Sequence, residues 1–175
     1  MTPSYSLTPP QLLDYAKSNT VDSPYYLVEK RFEGPKEALL QGFEPPPFFG
    51  QDVLAHVPGS RQARYLFVGG ARTGTFLHVD PLYTSAWNAC ASGAKRWCFF
   101  PPRTDLKRHG LRLYKEGRHQ SASVWFAEVY PKLRAAAERG ELKMVECVQR
   151  AGDVVYVPPA LSLIHISEPT RRTPI

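Results

Sequence analysis

Gly74-Thr-Phe-Leu-His-Val-Asp80 is the stretch on which the reading of the fold turns, flanked by Tyr65-Leu-Phe-Val68, Thr84-Ser-Ala-Trp-Asn-Ala-Cys90 and Lys95-Arg-Trp-Cys-Phe-Phe100. Each run is short, rich in β-branched and aromatic residues, and most are bounded by Gly or Pro, the pattern of strands joined by tight turns. Met144–Val148 and Val154–Val157 repeat it further along. Six such runs predict a sandwich or barrel. Upstream, Thr8 before Pro9 and Pro10 predicts a helix start, with Leu12, Leu13, Tyr15 and Ala16 as its apolar stripe. A second helix is predicted from Pro35 to a stop at Gly42, and Pro45, Pro46 and Pro47 predict an extended connector. Residues 101–140 are an insertion whose second half reads as helix from Pro131 to Gly140.

Composition narrows the class. A chain of 175 residues fits one domain, and 43% apolar residues with 12 Gly exclude intrinsic disorder. With 17 Pro and 22% charged residues, short strands and loops are favoured over a helical bundle. Three cysteines are an odd number, so no disulfide framework is expected and a reducing compartment, nucleus or cytoplasm, is. Residues 1–10 lack the basic and apolar regions of a signal peptide, and no apolar run approaches the roughly 18 residues of a membrane span, so no membrane partner is expected. The net charge of +6 is concentrated: Lys95 to His119 holds Lys95, Arg96, Arg103, Lys107, Arg108, Arg112, Lys115 and Arg118 against Asp105 and Glu116. That segment reads as a solvated loop or as a basic rim that docks an acidic or phosphorylated partner such as RNA.

His78 and Asp80 lie two apart in a strand-like run, and side chains at i and i+2 of a strand leave the same face. Such a pair offers two adjacent metal ligands. The facial triad of non-haem Fe(II) sites adds a distant second His and keeps three positions open for a bidentate co-substrate and O2. Alternation puts Lys95 beside Trp97 and Phe99, an apolar setting where an ammonium calls for an anion such as a dicarboxylate; the other reading is an edge lysine reaching water. Thr84, Ala86, Asn88 and Cys90 share a small, partly polar face with room for a ligand.

The stretch from Tyr65 to Ala89, followed by Gly93-Ala-Lys-Arg-Trp-Cys-Phe-Phe-Pro-Pro102, closely resembles the JmjC-domain 2-oxoglutarate oxygenases, nearest to the arginine demethylase and lysyl hydroxylase (phosphatidylserine-receptor-like) branch. Asp22-Ser-Pro-Tyr-Tyr26, Trp125-Phe through Tyr130-Pro131 and Ala151-Gly-Asp-Val-Val-Tyr-Val-Pro158 extend the likeness over roughly residues 10–159. The resemblance implies a mainly β fold, a double-stranded β-helix (jelly-roll or cupin-like barrel) with N-terminal and inserted helices. It implies Fe(II) with His78 and Asp80 as its first two ligands, and 2-oxoglutarate held by Lys95, Asn88, Thr75 and Tyr26, with O2 as co-substrate. Tyr26 also reads as a core aromatic, since Tyr25 beside it could take either register, and Thr75 also reads as serving the Gly74 turn. Trp87 and Trp97 read as barrel packing. The activity implied is protein lysyl hydroxylation or arginine demethylation on a Lys/Arg-rich protein substrate.

The sequence departs from that pattern after Pro158. Family spacing puts the distal iron-binding His at position 163, where this chain has Leu163; His165 follows two residues later, which keeps strand parity. Ser162-Leu-Ile-His-Ile-Ser-Glu-Pro-Thr-Arg-Arg172 resembles a translated sequencing-adapter peptide. The expectation is therefore an oxygenase domain over residues 1–161, incomplete at its last strands, followed by a non-native tail over 162–175. As written, the chain lacks a complete triad. The competing expectation is a catalytically inactive module that binds a protein or RNA through residues 95–119.

Overall fold

The computed structural model describes residues 7–42, 44–49, 56–57, 64–81, 84–111 and 120–168. The chain divides into a smaller unit, Leu27–Val68, and a larger one made of Met1–Tyr26 with Gly69–Ile175. In the smaller unit β1 (Leu27–Glu29) pairs antiparallel with β2 (Leu66–Val68), Val28 opposite Phe67. The helix predicted from Pro35 is here a 3-10 helix, Gly34–Leu40, and Pro47 opens a second short one, Pro47–Phe49. The connector predicted as extended therefore keeps irregular backbone only up to Pro46. A proline's fixed φ suits the first turn of a helix as well as an extended chain, which is why the triple proline misleads.

The larger unit begins with α1 (Pro9–Ser18), closed by a capping box in which the Thr8 amide donates to Gln11 Oε1 at 2.9 Å and the Thr8 hydroxyl accepts from the Gln11 amide. Its strands form a four-stranded antiparallel sheet, ordered β3 (Gly74–Val79), β8 (Ser162–Glu168), β5 (Ala94–Phe100) and β6 (Val145–Arg150). A two-stranded sheet pairs β4 (Ala86–Ala89) with β7 (Val154–Val157). All six predicted runs are strands. Ser162–Glu168, set apart in the sequence as a foreign tail, pairs with both β3 and β5 and lies between them. Pairing reports what the segment packs against, not its source.

The four-stranded sheet is covered on both faces. Leu77, Cys98, Phe100, Ile164 and Ile166 pack on one side against Trp125, Tyr130, Leu133 and Ala136 of the insertion. On the other, Trp97, Phe99 and Leu163 meet Val157 with Ala86 and Val155 of the smaller sheet, which closes a cupin-like interior. Each aliphatic or aromatic side chain so buried contributes about 1.5–3 kcal/mol. Helix in the insertion starts earlier than predicted, at α2 (Ala122–Val124), where the Ser121 hydroxyl accepts from the Val124 amide. A π-helical turn, Trp125–Val129, then leads into α3 (Tyr130–Glu138). The Tyr130 amide bonds the Trp125 carbonyl and Pro131 has no amide to give, so the widened turn sits where an ordinary ladder would lose a bond.

Candidate active site

β3 delivers its side chains to the interior through an irregularity. Thr75 faces His165 and His78 faces Leu163, so three residues of β3 advance against two of β8. This bulge turns Thr75 and His78, three apart in sequence, to the same face, while Leu77 joins the opposite core. Asp80 follows the strand end. His78 Nδ1 lies 2.6 Å from the Phe76 carbonyl, which only accepts, so Nδ1 carries the proton and the lone pair of a neutral ring is on Nε2. Nε2 is 3.4 Å from Asp80 Oδ1. Burial opposes a charge on His78, but the bonds to Asp80 and the Phe76 carbonyl outweigh it and raise its pKa.

From β5, Lys95 extends inward, and its Nζ donates to the Tyr26 hydroxyl at 3.3 Å. The ammonium stands 6.0 Å from the centroids of both Tyr26 and Trp97. Burial lowers the Lys95 pKa, with Cys90 opposing, and burial also pushes the Tyr26 phenol up, so Tyr26 keeps its proton. The register left open between the two tyrosines is resolved: Tyr25 is exposed and rests on Tyr15 at 5.4 Å. Thr75 makes no turn bond; the neighbouring turn is closed by Thr73 Oγ1 donating to the Gly70 carbonyl at 2.7 Å.

Among the described residues six buried side-chain atoms have no hydrogen-bond partner, and three of them, Thr75 Oγ1, Asn88 Oδ1 and His165 Nδ1, belong to the strands that carry the candidate site; the others are Asn19 Oδ1, Arg96 Nε and Trp125 Nε1. Leaving a buried polar atom unsatisfied costs about 1–3 kcal/mol, so such atoms mark a place built for a polar guest. The donor set fits a small dicarboxylate. For a metal, the fit is two ligands deep. Leu163 stands across from His78, at the position where the resemblance puts the distal ligand. His165 lies opposite Thr75 and Trp97, 4.5 Å from the Trp97 ring and two residues along β8 from Leu163, the partner of His78. Burial, then Lys95 and His78, hold its pKa well below the usual histidine value, so the ring is neutral. Among the described residues no three His, Cys, Asp or Glu side chains converge as a metal site.

Of the basic segment, Lys95 belongs to the interior, and Arg96 is engaged by Glu168 at 2.7 Å and stacks over Tyr130. Arg103, Lys107 and Arg108 are exposed, and Arg112, Lys115, Arg118 and His119 lie outside the described residues. The sequence reading also missed Gln149. It is buried, at 1% exposure, and hydrogen-bonds three groups of the interior. The apolar run around it was read only as far as Val148; a lone amide in alternation with Cys147 was the available signal.

Packed antiparallel sheets carrying a His-x-Asp pair and a part-buried lysine–tyrosine pair define a cupin-like class of β domain. The model of the JmjC domain, hydroxylase, matches residues 65–162, more than half of the sequence, and the chain belongs to the JmjC-domain family. It is 32% identical over 160 residues to the bifunctional arginine demethylase and lysyl-hydroxylase psr-1 of Caenorhabditis briggsae, covering 89% of this chain and 40% of that protein. To the arginine-specific demethylase JMJ22 of Arabidopsis thaliana it is 30% identical over 145 residues, 82% of this chain and 28% of the relative. The 2-oxoglutarate and iron-dependent oxygenase JMJD4 of Mus musculus shares 24% over 155 residues, 83% and 34% of the two chains. This chain thus spans about 40% of the length of the psr-1 relatives it matches.

Proposed function

We propose that this domain belongs to an Fe(II)- and 2-oxoglutarate-dependent protein hydroxylase, acting on lysine side chains or demethylating arginine. The observation that carries the reading is the set of unpartnered buried atoms, Thr75 Oγ1 and Asn88 Oδ1, around the Lys95–Tyr26 pair. On this reading Lys95 and Tyr26 take the distal carboxylate by charge-assisted and neutral hydrogen bonds, and Thr75 and Asn88 bond the remaining oxygens. With Nδ1–H held by the Phe76 carbonyl, His78 would present Nε2, freed of any proton, and Asp80 a carboxylate, to the metal. Fe(II) held by His78 and Asp80, with 2-oxoglutarate held by Lys95, Tyr26, Thr75 and Asn88, would supply the O2-dependent oxidative chemistry that couples loss of CO2 from the keto-acid, giving succinate, to hydroxylation of a C–H bond. Trp97 and Phe99 wall the pocket and exclude water.

The relatives' names point to lysine and arginine as the groups acted on, and a protein offering such side chains is the partner this reading implies. We also propose that Ser162–Ile175 stands in for a native segment bearing a His at the position of Leu163; the spacing from Pro158 and the pairing of Leu163 with His78 support it. Reading the transcript past codon 161 tests that idea: a His at codon 163, the second of a native continuation, supports it, and the same codons in independent genomic sequence contradict it. The functional reading is tested by titrating 2-oxoglutarate into the protein with Mn(II). Saturable binding lost in Lys95→Met supports the reading, and binding indifferent to Lys95 contradicts it.

A further inference from the structure

Gln149 lies opposite Lys95 across the β5–β6 ladder and shares its inward face. Its side-chain amide is used on both ends. Oε1 accepts from Trp97 Nε1 at 2.9 Å, and Nε2 donates to the carbonyls of Asn88 at 2.7 Å and Asp153 at 3.1 Å. The first bond lies within the four-stranded sheet; the second reaches β4 of the smaller sheet, and the third the turn that enters β7. One buried group therefore joins the two walls of the interior at the level of Lys95 and Asn88.

We infer that Gln149 is a positioning residue that sets the separation of Asn88 from Lys95 and so selects the chain length of the bound keto-diacid. The inference rests on the 2-oxoglutarate reading above. Asn88 and Lys95 come from different sheets; the turn between them is tied to residues 151–153 by backbone bonds, Cys90 to Asp153 at 3.0 Å and Ala151 to Gly93 at 3.1 Å, and Gln149 is the side chain that spans the gap beside it. Gln149 pins the Asn88 main chain directly. It fixes Lys95 indirectly, by holding the indole that flanks the ammonium. Only a neutral amide fits all three partners: a carboxylate accepts from Trp97 but has no proton for the two carbonyls, and a leucine serves none of them. Asp153 tightens the same clamp, because its carbonyl also accepts from the Cys90 amide at 3.0 Å, one residue beyond β4.

The test compares binding of 2-oxoglutarate and its one-carbon-longer homologue, 2-oxoadipate, to the Mn(II)-loaded whole chain by quenching of tryptophan fluorescence. In Gln149→Leu, 2-oxoglutarate should bind at least tenfold more weakly and the preference for it over 2-oxoadipate should collapse toward unity. Gln149→Glu, which is isosteric, decides the matter should Gln149→Leu fold poorly, and it should lose the same preference. Trp97→Phe removes only one of the three bonds and should fall between wild type and Gln149→Leu. A purely structural role lowers the melting temperature without changing the ratio of the two affinities. Unchanged selectivity in folded Gln149→Glu, with binding still abolished by Lys95→Met, overturns the inference and leaves the 2-oxoglutarate reading standing. Absence of Lys95-dependent binding in the wild type overturns both.

Discussion

On the proposed reading His78 and Lys95 hold opposite ends of the keto-diacid, and replacing each should have a distinct effect. Lys95→Met removes the ammonium that pairs with the distal carboxylate; a hydrogen bond to a charged group is worth about 1.5–3 kcal/mol, so 2-oxoglutarate affinity should fall about 10- to 100-fold, measured by calorimetric titration. His78→Ala should instead abolish metal binding, read by electron paramagnetic resonance of Mn(II), and leave the melting temperature within a few degrees of wild type. Residue types at these positions were legible in the sequence because a strand's two-residue period puts His78 and Asp80 on one side and Lys95 beside Trp97. Gln149 was not, since a buried amide is recognised by partners that alternation does not reveal.

At the scale of elements, the β3–β8 ladder decides what the pocket contains. Gly74 has no Cβ, and one built there would stand 2.2 Å from the His165 carbonyl and 2.7 Å from Ala122 Cβ, so β8 and the helical insertion close on β3 only over a glycine. Gly74→Ala should cost about 1–3 kcal/mol, seen as a lowered midpoint in urea with an unchanged slope, and should weaken 2-oxoglutarate binding along with it. A midpoint equal to wild type would contradict the close approach. The bulge between Thr75 and His78 was invisible in the sequence: strict alternation puts residues three apart on opposite faces, and only the partner strand's register shows the extra residue. The π-helical turn escaped notice for a related reason, because Pro131 reads as a helix start and here it is the residue around which an existing helix widens.

For the molecule as a whole, six strand-like runs, a capped first helix and the family's motifs were enough to identify a mainly β JmjC-family domain. The sheets could not be ordered from those runs alone, since β8 enters between β3 and β5, strands distant from it in sequence. On the proposed reading the interior holds two of three metal ligands, His78 and Asp80, and an apolar residue, Leu163, stands opposite the first of them. The central claim is that His78, Asp80 and position 163 form one metal face next to the 2-oxoglutarate pocket. It is tested most directly by Mn(II) affinity in wild type, Leu163→His and the double variant Leu163→His/His78→Ala. The account predicts at least tenfold tighter binding in Leu163→His than in wild type, with the gain abolished in the double variant; equal affinity in all three proteins would contradict it.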